Sequence, residues 1–514
     1  MENSTIVLLC ALVFTLAVAF AHWNPTIDAR EPPVVRPSIP IIGHAIGFIR
    51  HGQPYFVHLS AAHPDLPIFT VDLLVTKFYV ISSPNLISAV QRNSRALSFE
   101  HFINLSANRV LGIKGPGMNL LREEQKGGGG VGIKITHAMN PALLGPGLDR
   151  MNEKMISFLK TSVDQLSTAQ DSDHDLFSWC RHAITVAATD SAYGKMNPYR
   201  SSEIEDAFWT METNLDKFLV NIAPNITARK VWNARETLVS AFIDYYNASG
   251  LSDASAMANA RWREQRSVGA TLADTARLEA GMALGLLSNT VPAAFWTVFE
   301  ICSRPPLLAA IRAELCVRAL HVDAATGAHT VDLADIRDGC ELLVSTFQET
   351  LRVRSKAMPM RMAYQDVLLN DRYLLKEGGI VQMPSPVFHR NGAIWGDEAD
   401  AFEPRRFMKG GNVKETRRMT GFLAFGISPS LCPGRHFATG EVLSLVAMLL
   451  LRYDIIPQRG NWEVPKVDAK SAAASFYTPA EEFRVNFKAR SEYEGASWAY
   501  RVTAGKGRFG LIIG

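Results

Sequence analysis

The chain has 514 residues, enough for two to four average domains or one large enzyme domain, and 47% of them are hydrophobic against 20% charged. A formal net charge of +3 is too near neutral to argue for a nucleic-acid partner. The six cysteines, Cys10, Cys180, Cys302, Cys316, Cys340 and Cys432, are scattered without C-x-x-C spacing, which speaks against a disulfide framework and structural zinc and for a reducing compartment.

No charge appears between Glu2 and Asp28, and TIVLLCALVFTLAVAFAHW fills most of that interval. About 20 helical residues cover roughly 30 Å of hydrocarbon, so the stretch is long enough to span. Ten Leu, Ile, Val and Phe residues between Ile6 and Phe20 favour insertion by about 3 to 6 kcal/mol, with no charge to offset it. A membrane anchor over 1–24 follows; the rival, a cleaved signal peptide, lacks its basic n-region. Arg30, Arg36 and Arg50 come after the span and no Lys or Arg before it, which predicts a single-pass protein with its bulk in the cytosol.

Residues 25–45 read as a Pro-rich linker, in which Pro32, Pro33, Pro37 and Pro40 favour extended backbone and predict a stiff stalk. The remainder, 46–514, has no boundary rich enough in Gly, Ser or charge to divide it, and no internal repeat. Leu66 to Pro84 alternates β-branched and aromatic residues with polar ones and predicts a two-stranded hairpin. KGGGGVGIK places Gly127, Gly129 and Gly132 in a G-x-G-x-x-G pattern but lacks Walker spacing, since Ile135 follows Lys134, so it reads as a flexible loop. From about Asn152 to Pro306 the apolar period is helical; within it, DSDHD (171–175) lacks EF-hand spacing and reads as a solvated turn. DKFLVNIAP (216–224) suits either a segment dipping into a bilayer or a buried helix end.

GMALGLLSNTVPAAFWTVFEI (281–301) is apolar for most of its length yet interrupted by Ser288, Asn289, Thr290 and Pro292. Proline cannot donate to the carbonyl four residues back, so Pro292 frees the Ser288 carbonyl and opens the helix beside Thr290. QETLR sets Glu349 and Arg352 one turn apart on a helix face, and Arg406 in AFEPRRF can complete a charge-assisted network with them. Strand-like pieces return at Ala363 to Tyr373. Last comes FGISPSLCPGRHFATGE (425–441), where Cys432 precedes a long apolar helix whose start tolerates Pro433. A thiolate there is favoured by the positive end of the helix dipole. One cysteine cannot hold zinc or a cluster, whereas a haem iron needs a single axial protein ligand.

These motifs, in this order, resemble the cytochrome P450 family. Its signature F-x-x-G-x-x-x-C-x-G is matched by Phe425, Cys432 and Gly434, with Arg435 and Ala438 matching the usual extension, E-x-x-R by Glu349 and Arg352, and F-x-P-x-R-F by Phe402, Pro404, Arg406 and Phe407. Two positions depart: Ser428 stands for the glycine four before the cysteine, and Ser430 for the frequent basic residue two before it. The resemblance implies a mainly α fold with small β-sheets (α+β), the cytochrome P450 fold behind an N-terminal transmembrane helix, with 46–514 as the catalytic domain. It implies haem b with Cys432 on the iron, and Arg361 and Arg435 as partners of the propionates, since no W-x-x-x-R precedes Asn152. In the family an acid-threonine pair on the central helix guides protons during oxygen activation; Thr290 matches, but Asn289 replaces the acid and cannot carry a proton. NTVPAAFW resembles the branch of steroid 7α- and 12α-hydroxylases and prostacyclin synthase, which spans oxygenation and oxygen-free rearrangement.

Substrate contacts are expected from Ser288, Ala357, Met358, Pro359 and Phe476, and their apolar character implies an apolar substrate. No flavin domain fits, so two electrons must come from a separate NADPH-cytochrome P450 reductase in the same endoplasmic reticulum membrane. It would dock around Cys432, where Arg435, if not a propionate partner, joins Arg405, Lys414, Arg417 and Arg418 in either a docking face or a merely solvated cluster. The expectation is a monooxygenase that inserts one oxygen atom from O2 into a sterol-, terpenoid- or polyketide-like molecule, in fungal secondary metabolism. The rivals are a haem-thiolate isomerase that consumes no O2 and a haem-binding scaffold without turnover. The C-terminal 23 residues match no motif.

Overall fold

A computed structural model describes residues 28–39, 42–73, 76–122, 130–168, 173–409, 420–469, 471–505 and 508–511. The expected anchor over 1–24 lies outside the described residues, as do Lys414, Arg417 and Arg418. The body is mainly helical. Its axis is the run Leu272–Cys302, which is long and apolar enough to cross a membrane, yet 78% of its most apolar window is buried inside the protein. A helix that is hydrophobic all round belongs in a core, and every residue of its last segment, Thr290–Cys302, is buried. Against this segment pack the helices Leu176–Tyr193, Glu341–Arg354 and Arg435–Arg452. The last of these begins three residues after Cys432 and is buried along nearly its whole length.

A five-stranded sheet flanks the helices. In chain order its strands are β1 (Ile68–Asp72), β2 (Lys77–Ile81), β3 (Leu97–Ser98), β4 (Met360–Ala363) and β5 (Ile380–Gln382), and in space they run β1-β2-β5-β4-β3. The predicted hairpin is β1–β2, antiparallel from Ile68 opposite Ile81 to Asp72 opposite Lys77. In β4, Arg361 stands opposite Val381.

Three local expectations are corrected. The linker does not stand free as a stalk: Val34 bridges Thr70, the Pro33 carbonyl accepts from the Thr70 N–H (2.8 Å), and the Pro32 carbonyl accepts from the Thr70 hydroxyl (2.9 Å). Extended prolines lack N–H groups but keep carbonyls, which suits them to cover a sheet edge. The DSDHD turn ends as a strand, Asp173–Asp175, paired with Arg484–Ala489, while the Asp175 carboxylate caps the next helix at the Ser178 N–H. The end of the Gly-rich stretch opens the helix Val131–Met139 with Gly130 as its N-cap; 123–129 lie outside the described residues.

Candidate active site

The cysteine loop closes on itself: the Cys432 N–H donates to the Phe425 carbonyl (2.9 Å). Gly426 takes φ 83°, in the left-handed region, with the Ser430 carbonyl only 3.1 Å from where a Cβ would stand. Cys432 is half-buried and free of any disulfide. Burial pushes its thiol up, opposed by the Gly434 N–H, the Arg435 charge and the Arg435 N–H, all of which favour a thiolate. The Arg435 Nη1 donates to the Cys432 carbonyl (2.9 Å), and its buried Nε has no hydrogen-bond partner among the described residues. A Cβ added at Gly434 would meet nothing within 4 Å.

Arg361 is 4% exposed and, among the described residues, donates only to the Met360 and Ile427 carbonyls (2.8 and 3.1 Å). Burial without a carboxylate lowers its guanidinium to about 10. A buried cation lacking an anionic partner is costly, and an anionic ligand group would relieve it.

Glu349, Arg352 and Arg406 meet in one network. Arg352 grips Glu349 with two bonds of 2.7 Å, both side chains fully buried, and Arg406 Nε reaches Glu349 Oε1 at 3.1 Å. Their remaining donors satisfy the carbonyls of His389, Trp395, Glu398, Ala399 and Ala401. His389, which the sequence analysis does not single out, ties this network to the cysteine loop. Its Nδ1 lies 2.9 Å from the Arg352 carbonyl and its Nε2 accepts from the Leu423 N–H at 2.9 Å. Burial and the neighbouring Arg352 charge lower its imidazole to about 3, which keeps it neutral.

The central helix breaks at Ser288–Asn289, where Pro292 leads one to expect it, and resumes at Thr290. Thr290 donates its hydroxyl to the Leu286 carbonyl (2.9 Å), and the Asn289 side-chain carbonyl accepts from the Ser475 N–H (2.7 Å). That bond brings the C-terminal loop over the break. Phe476 pairs with Ser355 at the end of the E-x-x-R helix, so Asn289, Phe476 and the Ala357–Pro359 stretch belong to one region.

A cavity of about 590 Å³ opens beside it, lined by Ser288 and Pro292 but not by Ala357, Met358, Pro359 or Phe476. Ala357, Met358 and Phe476 are buried, and the Ala357, Met358 and Pro359 carbonyls are taken up by Ser385, Gln382 and Met383. The expected apolar lining is also incomplete, because Arg181, Glu212 and Asp468 share the wall with Phe177, Trp209 and Val467. Glu212, 7% exposed, faces the Ser288 hydroxyl, and burial raises its carboxyl to about 7. Beside the cavity Lys356, 1% exposed, donates to the Ser471 and Ala469 carbonyls (2.8 and 3.4 Å), and burial lowers its ammonium to about 8. Neither residue stands out in the sequence; the signal would be an acid inside the apolar run FWTMET and a lysine beside the apolar AMP.

A family model for cytochrome P450 matches residues 32–487. The chain is 41% identical to the cytochrome P450 monooxygenase nodJ of Hypoxylon pulicicidum over 99% of both chains. It is 28% identical to a cytochrome P450 monooxygenase of Gibberella zeae, over 96% of this chain and 94% of that one. Against the 7-alpha-hydroxycholest-4-en-3-one 12-alpha-hydroxylase of Oryctolagus cuniculus the identity is 22%, over 89% and 93%. The helical body, the half-buried Cys432 sulfur at the start of a buried helix and the match across most of the chain define a haem-thiolate oxidoreductase. The chain belongs to the cytochrome P450 family, as one of its monooxygenases and in the branch that includes the 12α-hydroxylase.

The residues present fit the haem that this family carries. The donor set is one sulfur with two N–H groups aimed at it, open space beside Gly434, and two guanidinium groups, Arg361 and Arg435, with capacity left for an acid.

Proposed function

We propose that Cys432 is the axial ligand of haem b, that Arg361 and Arg435 receive the propionates, and that Phe425 and Gly434 shape the loop against the macrocycle. Bound haem supplies the chemistry, activating dioxygen so that one oxygen atom enters a C–H bond of the substrate. Ser288, Asn289 and Thr290 face the reacting side at the helix break, with Thr290 as the hydroxyl that passes protons and Asn289 holding the loop through Ser475. The substrate occupies the cavity above Ser288; it is apolar over most of its surface and presents a polar group to Glu212. Ala357, Met358, Pro359 and Phe476 act behind that wall, by shaping it. Glu349, Arg352 and Arg406 lock the helix to the cysteine loop.

Residues 1–24 anchor the protein in the endoplasmic reticulum membrane with the catalytic domain, 46–514, in the cytosol. Residues 25–45 link the two, and an NADPH-cytochrome P450 reductase supplies the electrons. Exposed Val220 and Ile222 in the DKFLVNIAP segment, with Ile226 just beyond it, favour its contact with lipid. The fungal relatives support a role in secondary metabolism.

The observation that carries this reading is the Cys432 sulfur, which faces two backbone N–H groups at the start of a buried helix. Its test is the spectrum of reduced, carbon monoxide-treated protein. Wild type is expected to show the long-wavelength Soret band of thiolate ligation, and Cys432→Ser to lose it together with NADPH-dependent product formation. A folded wild type without that band overturns the reading.

A further inference from the structure

The family match ends at residue 487, yet the chain continues as a built element on the body. Strand Trp498–Arg501 pairs in parallel with His329–Asp332, Arg501 opposite Asp332. Asp332, 1% exposed, receives the Arg501 guanidinium (2.8 Å), the Thr503 N–H (3.1 Å) and the Thr503 hydroxyl (2.5 Å). The Gly505 N–H then reaches the Asp149 carboxylate at 3.3 Å.

The segment ends against the cysteine helix. The Phe509 N–H donates to His436 Nδ1 (3.2 Å), both residues are 5% exposed, and the Phe509 ring lies 3.6 Å from where a Gly440 Cβ would stand. His436 and Gly440 are four apart and share one face of that helix. His436 is itself four residues beyond Cys432. The first turn is therefore held by a main-chain donor on His436 and the second by an aromatic ring on Gly440, while the start of the helix directs the Gly434 and Arg435 N–H groups at the sulfur. The acceptor nitrogen must be unprotonated, and burial with the adjacent Arg435 and Arg508 charges keeps it so.

We infer that residues 498–505 and 508–511 form a strap that fixes the first turn of the cysteine helix and so holds the Cys432 sulfur in its ligating position. Phe509 and His436 are its positioning residues. The inference rests on Cys432 being the haem ligand and adds what keeps it in place. Loss of the strap lets the first turn shift, weakens the two N–H contacts, and favours the protonated, non-thiolate form.

The experiment uses purified full-chain holoprotein, reduced under carbon monoxide and followed over time. Phe509→Ala, His436→Ala and a chain ending at Gly505 are expected to convert several-fold faster from the long-wavelength to the short-wavelength Soret band. His436→Asn keeps an acceptor in place of Nδ1 and is expected to resemble wild type. The inference is overturned if Phe509→Ala and the shortened chain melt like wild type and keep the thiolate band as long. If those variants do not fold, hydrogen exchange on the unaltered protein decides. Peptides covering 435–440 and 508–511 are expected to open together in mild denaturant, and free exchange of 508–511 in native buffer overturns the strap. A wild type that lacks the thiolate band sinks the assignment of Cys432, whereas loss of coupling in exchange sinks only the strap.

Discussion

Glu212 shows what folding adds to a residue. In the sequence it is one acid among fifty acidic residues; in the structure it sits buried against Ser288 on the cavity wall with its carboxyl raised to about 7. Above its ordinary value of 4.5 the unfolded chain releases a proton that the folded one retains until pH approaches 7. Stability therefore falls as pH rises through this window and levels off beyond it. At about 1.4 kcal/mol per pH unit, the loss is at most about 3 kcal/mol. Glu212→Gln removes the titration, so the melting temperature of wild type relative to this variant should drop between about pH 5 and about pH 7.5. A constant difference would show that the group faces water. The network of Glu349, Arg352 and Arg406 was legible beforehand because its chemistry demands fixed residue types at fixed spacing. The roles of Glu212, Lys356 and His389 depend on burial by residues distant in sequence, which no local pattern carries.

Among the elements, the interrupted central helix was predictable from Pro292 alone, whereas the C-terminal loop that crosses the break was not. Its attachment is the Ser475 N–H on Asn289, together with Lys356 on the Ser471 and Ala469 carbonyls. Asn289→Ala leaves that N–H without its acceptor, at a cost of about 1 kcal/mol, and should speed hydrogen exchange across 471–476; Asn289→Asp, which retains an oxygen, should not. The E-x-x-R network calls for a larger penalty. Arg352→Lys cannot reproduce the two-pronged grip on Glu349 while also serving the carbonyls of His389, Ala399 and Ala401. It should cost about 3 to 5 kcal/mol, read as a lowered denaturation midpoint together with weaker haem retention.

For the whole molecule, helix-rich architecture with small sheets followed from periodicity, while sheet order did not, because β1-β2-β5-β4-β3 joins strands some 300 residues apart through backbone bonds indifferent to sequence. Surface character bears on membrane association. Besides Val220, Ile222 and Ile226, exposed Ile39, Ile42, Ile46 and Ile49 present apolar side chains to solvent. Removal of residues 1–24 should weaken flotation with microsomes without abolishing it, and Ile222→Ser with Ile226→Ser should abolish the residual. Complete release by the deletion alone would limit lipid contact to the anchor.

The parallel pairing of Trp498–Arg501 with His329–Asp332 also governs when the chain can finish folding. The hairpin Leu320–Val322 with His329–Asp332 presents an unpaired edge to its surroundings throughout synthesis of the next 160 or so residues. Only as the ribosome lets go does its last partner arrive. Newborn copies are thus adhesive for as long as translation lasts, and a premature stop codon between the cysteine helix and Trp498 yields a sticky product rather than a slightly shorter enzyme.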